Sequence, residues 1–114
     1  MPDCLFCRIV AREIPASIVC ETSTTLAFRD IHPQAPTHVL VIPKVHVQSL
    51  MFIDETQDQL VVDLTRTIQD VVRKENIQGT GFRVVANNGK DANQAVAHLH
   101  YHVLAGRKLG WPPG

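Results

Sequence analysis

Three histidines alternate with apolar residues in the run His98-Leu99-His100-Tyr101-His102-Val103-Leu104. Strict alternation is the period of a β-strand, whose successive side chains point to opposite faces of the sheet. His98, His100 and His102 are therefore expected on one face, with Leu99, Tyr101 and Val103 on the other, buried one. A strand rises roughly 3.3 Å per residue, which sets the outer two Cα atoms about 13 Å apart. With Zn–N bonds of about 2.0–2.1 Å, those two rings meet at one metal only at full stretch. Three histidines in register thus point to three separate tasks. Neutral imidazole attacks phosphorus well when its second ring nitrogen donates to a fixed acceptor. His100, with a neighbour on each side, is the candidate for that task, and His102 for contact with phosphate oxygens. His98 stands at the strand entrance, where ligands from elsewhere in the chain can meet it.

Cys4 and Cys7 form a Cys-x-x-Cys pair near the start of the sequence. The pair suits a metal, a redox couple or two small buried thiols. A redox motif is expected at the head of a helix in a βαβ setting, which is not legible here. A metal needs two further ligands, and His46 and His98 are the candidates. Cys4, Cys7, His46 and His98 would make a structural Zn2+ site. Four protein ligands close the tetrahedron, so such an ion holds structure and leaves no position for an activated water.

The elements that must position these groups are short. Asp3 is expected to cap a helix carrying Leu5, Phe6, Ile9 and Val10, which ends before Pro15. Residues 17–20 and 24–29 read as strands around the polar turn Glu21-Thr22-Ser23. Asp30-Ile31-His32-Pro33-Gln34-Ala35-Pro36 is a loop, because its prolines exclude regular pairing. Asp30 at its start accepts from a sugar diol or caps the turn. His38 opens the apolar run Val39-Leu40-Val41-Ile42, which suits a central strand. Asp54 and Gln57 form a capping box, and Leu60, Leu64, Ile68, Val71 and Val72 recur at helical spacing up to about residue 75. Residues 82–86 make a fourth strand before the turn signal Asn87-Asn88-Gly89. The loop continues to Ala95 beside the histidine strand, with backbone amides that can hold phosphate oxygens. Trp111-Pro112-Pro113 predicts an extended tail. The expected fold is α+β, a five-stranded mainly antiparallel sheet with one long helix and a short N-terminal helix. It forms one domain over residues 1–114, with a side of the sheet left uncovered that favours a homodimer.

Composition narrows the function classes. Eleven basic residues balance eleven acidic ones among 114, so bulk charge gives no reason to expect nucleic acid or an anionic membrane as partner. No apolar run approaches the roughly 20 residues of a spanning helix. Three cysteines, an odd count, do not make a secreted disulfide framework. A cytoplasmic enzyme or binding module is the expectation.

The histidine run also carries a resemblance. With Phe28-Arg29-Asp30-Ile31-His32-Pro33-Gln34-Ala35-Pro36-Thr37-His38, Val41-Ile42-Pro43-Lys44 and Trp111-Pro112-Pro113-Gly114, it is similar to the histidine triad superfamily and resembles its nucleotide-binding protein branch. The resemblance implies hydrolysis of purine nucleoside phosphoramidates or nucleotides at a P–N bond, in a homodimer, through a nucleotidyl-histidine on His100. It implies that Asp30 binds the ribose hydroxyls and that Phe6, Ile9, Phe28, Ile31 and Leu40 line the base pocket. Asn87, Asn93, Gln94, Ala95 and His102 would surround the phosphate, with His38 supporting the catalytic pair His100 and His102. Zinc-binding members use the Cys-x-x-Cys with two histidines. Relatives carry Gly and Ser around the glutamine, whereas this chain reads Asn93-Gln94-Ala95. A lost hydrogen bond to a charged group costs roughly 1.5–3 kcal/mol, so turnover is expected to be present and slow, with a nucleotide-binding module of weak turnover as the alternative. Catalytic zinc on the histidine row is a third reading.

Overall fold

In a computed structural model that describes residues 3–114, the chain forms one five-stranded sheet with a helix against each face. The strands are β1 (Ile18–Glu21), β2 (Thr25–Arg29), β3 (Thr37–Pro43), β4 (Arg83–Ala86) and β5 (Tyr101–Ala105). Their order across the sheet is β1-β2-β3-β5-β4, and every neighbouring pair is antiparallel. The continuous apolar run of β3 fits its place in the middle, where His38 to Pro43 are all buried.

One face carries Ala27, Val39, Val41, Val103 and Ala105, together with Leu99 just before β5. The long helix α2 (Asp58–Glu75) closes it with Leu60, Leu64, Thr67, Val71 and Val72. Burying one such leucine contributes about 1.5–3 kcal/mol. Asn76 ends the helix in the left-handed region, φ 56°, a C-terminal role that asparagine tolerates. The capping box falls one turn early. Asp54 and Gln57 cap a 3-10 turn, Glu55–Gln57, and α2 starts after it.

The other face carries Leu26, Phe28, Leu40 and Ile42, and it is covered by α1 (Leu5–Val10) through Phe6 and Ile9. Phe6 meets Phe28 edge to face, with centroids 5.5 Å apart. The expectation of an uncovered side therefore fails over the middle of the sheet, because a six-residue helix with two large apolar residues suffices to close it. Among the described residues, no strand pairs with the outer side of β4, beside exposed Phe82 and Val84.

Three local expectations are corrected. The N-cap of α1 is Cys4 and not Asp3, its sulfur accepting the Cys7 N–H at 3.4 Å. The fourth strand begins at Arg83 and not at residue 82. The histidine strand begins at Tyr101, so His98 lies in a bend outside the ladder, its N–H bonded to the Val96 carbonyl at 2.8 Å. Alternation alone does not reveal that break.

Candidate functional site

Register brings His38 and His102 together. Leu40 pairs with His102 and His38 with Leu104 across β3 and β5, so the two histidines are diagonal neighbours on one face, a spacing long side chains can bridge. Asp30 joins them from the end of β2, where its N–H bonds the His38 carbonyl at 3.0 Å.

The three histidines of the row have three different sets of partners. His100 is 4% exposed. Its Nδ1–H donates to the His98 carbonyl at 2.7 Å, which leaves the lone pair on Nε2. Phe6 and His102 flank the ring, with centroids 5.1 and 5.0 Å away. This is the arrangement an imidazole nucleophile requires, one nitrogen fixed as donor and the other basic.

His102 belongs to a directional chain. The Gln34 N–H donates to His38 Nδ1 at 3.0 Å, and His38 Nε2 meets His102 Nδ1 at 2.8 Å. Asp30 Oδ2 lies 3.4 Å from the same His38 Nε2. His102 Nε2 is buried with no hydrogen-bond partner among the described residues. Burial, then the neighbouring imidazoles His100 and His38, depress the His102 pKa to about 4, and burial lowers that of His38 against the pull of Asp30. Both rings are neutral near pH 7.

Those depressed values set a pH dependence of stability. An unfolded histidine titrates near 6.5, so below that pH the unfolded chain binds more protons than the folded one. The contribution of His102 is complete above about pH 6.5 and is lost as pH falls toward 4. Its size is on the order of 2–3 kcal/mol. Urea unfolding at pH 7.5 and pH 5 captures the upper part of that loss, and a His102→Gln variant should show a clearly flatter dependence. An equal slope in both proteins would contradict the assignment.

His98 is fully buried and has partners of its own. Its Nε2–H donates to the Pro43 carbonyl at 2.8 Å, so Nδ1 carries the lone pair. That Nδ1 is 3.3 Å from Cys4 Sγ and 3.5 Å from Cys7 Sγ, and His46 Nδ1 is 3.4 Å from Cys7 Sγ. The ligand atoms of Cys4, Cys7, His46 and His98 all lie within 4.8 Å of one another. Zn–S bonds of about 2.3 Å and Zn–N bonds of about 2.0–2.1 Å give a tetrahedron with S···N edges of about 3.5 Å. The cluster fits that ion, and the Pro43 carbonyl is the outer partner that orients a metal-binding imidazole.

Asp30, His38 and His102 also offer ligand atoms within 4.8 Å. There the Gln34 N–H occupies His38 Nδ1, which puts the hydrogen on Nε2, the atom a metal would need. This second cluster orders protons and does not fit a metal.

The remaining candidate residues are dispersed around this face. Phe6, Ile9, Phe28 and Leu40 are each at most 7% exposed and pack on one another, whereas Ile31 is 85% exposed. Asp30 Oδ1 accepts the His32 N–H at 2.8 Å, leaving Oδ2 toward His38. Gln94 spends its side chain on main chain, accepting from Gly89 N–H and donating to the Gln48 and Val96 carbonyls. Asn93 adopts φ 64°, the left-handed conformation glycine takes most easily. Asn87 is half-buried just after β4. Ala95 lines a hollow of about 620 Å³ with Cys4, His46 and Gln48. Sequence reasoning missed the Gln34 N–H and the His98 and Pro43 carbonyls, which are main-chain groups without a residue signature.

Residues 11–109 match the family described as the HIT domain. An uncharacterized HIT-like protein of Synechococcus elongatus is 45% identical over 112 residues, covering 98% of this chain and 97% of its own. A 13.2 kDa HIT-like protein of Azospirillum brasilense is 46% identical over 96% of this chain and 90% of its own. Among solved structures, a HIT family hydrolase from Legionella pneumophila superposes with a TM-score of 0.95 at 41% identity, over 98% of this chain and 100% of that one. A histidine triad protein from Clostridium difficile gives 0.92 at 44% identity, over 96% of each.

Proposed function

This chain belongs to the HIT domain family, and we propose that it hydrolyses purine nucleoside phosphoramidates or related nucleotides through a covalent intermediate on His100. The observation that carries the reading is the His100 Nδ1–H bond to the His98 carbonyl, which turns Nε2 to the role of nucleophile. His100 Nε2 attacks the α-phosphorus, and the P–N bond to the leaving group breaks as the new P–Nε2 bond forms, the departing nitrogen taking a proton from solvent to leave as the free amine. Water then attacks the same phosphorus, breaks P–Nε2, returns a proton to solvent and releases the nucleoside monophosphate with His100 neutral again. His102 faces the phosphoryl oxygens, Asp30 takes the ribose hydroxyls, and the amides of residues 87–95 line the phosphate side. Exposed Ile31 borders the base, and Phe6, Ile9, Phe28 and Leu40 back the base side from the core.

Cys4, Cys7, His46 and His98 would hold a structural Zn2+, which supplies a rigid cross-link between α1 and the entrance of β5. The unpaired edge of β4, with exposed Phe82 and Val84, supports a homodimer. No helix among the described residues is long and apolar enough to cross a membrane, and the balanced charge suits a small-molecule partner better than a polyanion.

Ala95 favours a second reading, a nucleotide-binding module with weak turnover, because it offers no hydroxyl to phosphate. A single-turnover experiment with adenosine 5′-phosphoramidate separates the two. Release of the monophosphate with a transient adenylyl mass increase on the chain supports hydrolysis. Binding of the monophosphate with neither product nor adduct leaves only the binding module.

A further inference from the structure

Arg107 lies on the surface just beyond β5, and its Nε and Nη2 both donate to the Gln34 carbonyl, at 3.1 and 3.0 Å. The turn before it presses on the same loop. Gly106 has φ +95°, and a Cβ there would stand 2.7 Å from Pro36 Cβ. The Gln34 residue gripped in this way presents its N–H to His38 Nδ1 at 3.0 Å.

A backbone N–H can only donate, so His38 Nδ1 is an acceptor and the ring hydrogen sits on Nε2. Asp30 Oδ2, a second acceptor 3.4 Å from that nitrogen, favours the same form. The Nε2–H donates to His102 Nδ1 at 2.8 Å, which forces the remaining hydrogen of neutral His102 onto Nε2. That nitrogen is the buried polar atom left without a partner among the described residues, and such atoms in folded proteins call for a specific explanation.

We infer that Arg107 is a positioning residue, which by holding Gln34 fixes, through His38, the tautomer in which His102 offers an Nε2 hydrogen to a phosphoryl oxygen. What His102 meets rests on the proposed hydrolysis, while the tautomer does not. With the Gln34 N–H withdrawn, His38 can carry its hydrogen on Nδ1 and accept from His102 at Nε2. His102 Nε2 then becomes an acceptor, which repels phosphate oxygens.

Long-range ¹⁵N spectra of the histidine rings in the full chain test this directly. Wild type is expected to show Nε2–H tautomers at both His38 and His102. In Arg107→Ala the His102 nitrogens shift toward the Nδ1–H form, and kcat on adenosine 5′-phosphoramidate falls about tenfold with KM changed less than twofold. Arg107→Lys, a single ammonium nitrogen in place of a fork, restores part of both. An Nδ1–H His102 in wild type overturns the inference, and so do unchanged His102 shifts in Arg107→Ala, whatever the rate. The expected shifts in a chain that hydrolyses no phosphoramidate would uphold the relay and remove the proposed reaction.

Discussion

Replacing His100 with asparagine is expected to lower kcat on a nucleoside phosphoramidate by about 10⁴-fold or more, since no other group can take over the covalent step. Asparagine is the informative choice. Its side-chain N–H can still donate to the His98 carbonyl, as the His100 Nδ1–H does at 2.7 Å, while nothing remains at the Nε2 position to attack phosphorus. A 10⁴-fold loss corresponds to about 5.5 kcal/mol of transition-state stabilisation. Nucleotide affinity should stay within a few fold, because the ribose and base contacts are untouched. Stability should fall by about 1 kcal/mol, as expected for one altered, packed side chain. Single-turnover mass spectrometry supplies the decisive reading. The adenylyl adduct forms in wild type and vanishes in His100→Asn. An adduct that persists in the variant would transfer the nucleophile's role to another residue.

The reasons the site was partly legible are physical. The period-2 run of three histidines marked the approach to a strand, although only His102 of the three lies within β5, and zinc bond lengths argued against one shared metal. His98 does meet the cysteines, while His38 and His102 meet each other. Side-chain ligands leave a residue signature, so Cys4, Cys7, His46 and His98 could be gathered from sequence before any coordinates. The long helix was legible from Leu60, Leu64, Val71 and Val72 for the same reason, a period set by burial. Main-chain partners leave none. Nothing in the letters Gln34, Pro43 or His98 says that an amide hydrogen or a carbonyl at that position fixes an imidazole tautomer. The start of β5 was misplaced because alternation continues through a bend. The bend becomes visible only when the Leu99 N–H is found on the Val47 carbonyl at 2.7 Å and not in the ladder. Likewise, α1 is only six residues long, and sequence could not show that Phe6 and Ile9 suffice to cover a sheet face.

Removing the metal is expected to cost stability first and chemistry only through it. Cys4 caps α1, Cys7 lies within it, His46 follows β3 and His98 precedes β5, so an ion held there would tie the cover of one sheet face to the segment that carries His100 into β5. At free zinc a hundred- to a thousandfold above its dissociation constant, binding to the native state alone contributes about 3–4 kcal/mol. For a domain of this size that is a fall in Tm of about 10–15 °C on chelation. Cys4→Ser should reproduce most of it, and added zinc should no longer raise Tm in that variant. The stripped protein, assayed well below its lowered Tm, should retain turnover within about tenfold of wild type, because no open coordination position exists to activate water. The residual loss should trace to His98. Freed from the metal, it holds its carbonyl less firmly against the His100 Nδ1–H. The opposite pattern, turnover abolished with Tm unchanged, would place the ion in the chemistry. It would return the histidine row to the metalloenzyme reading that the tautomer of His38 argues against.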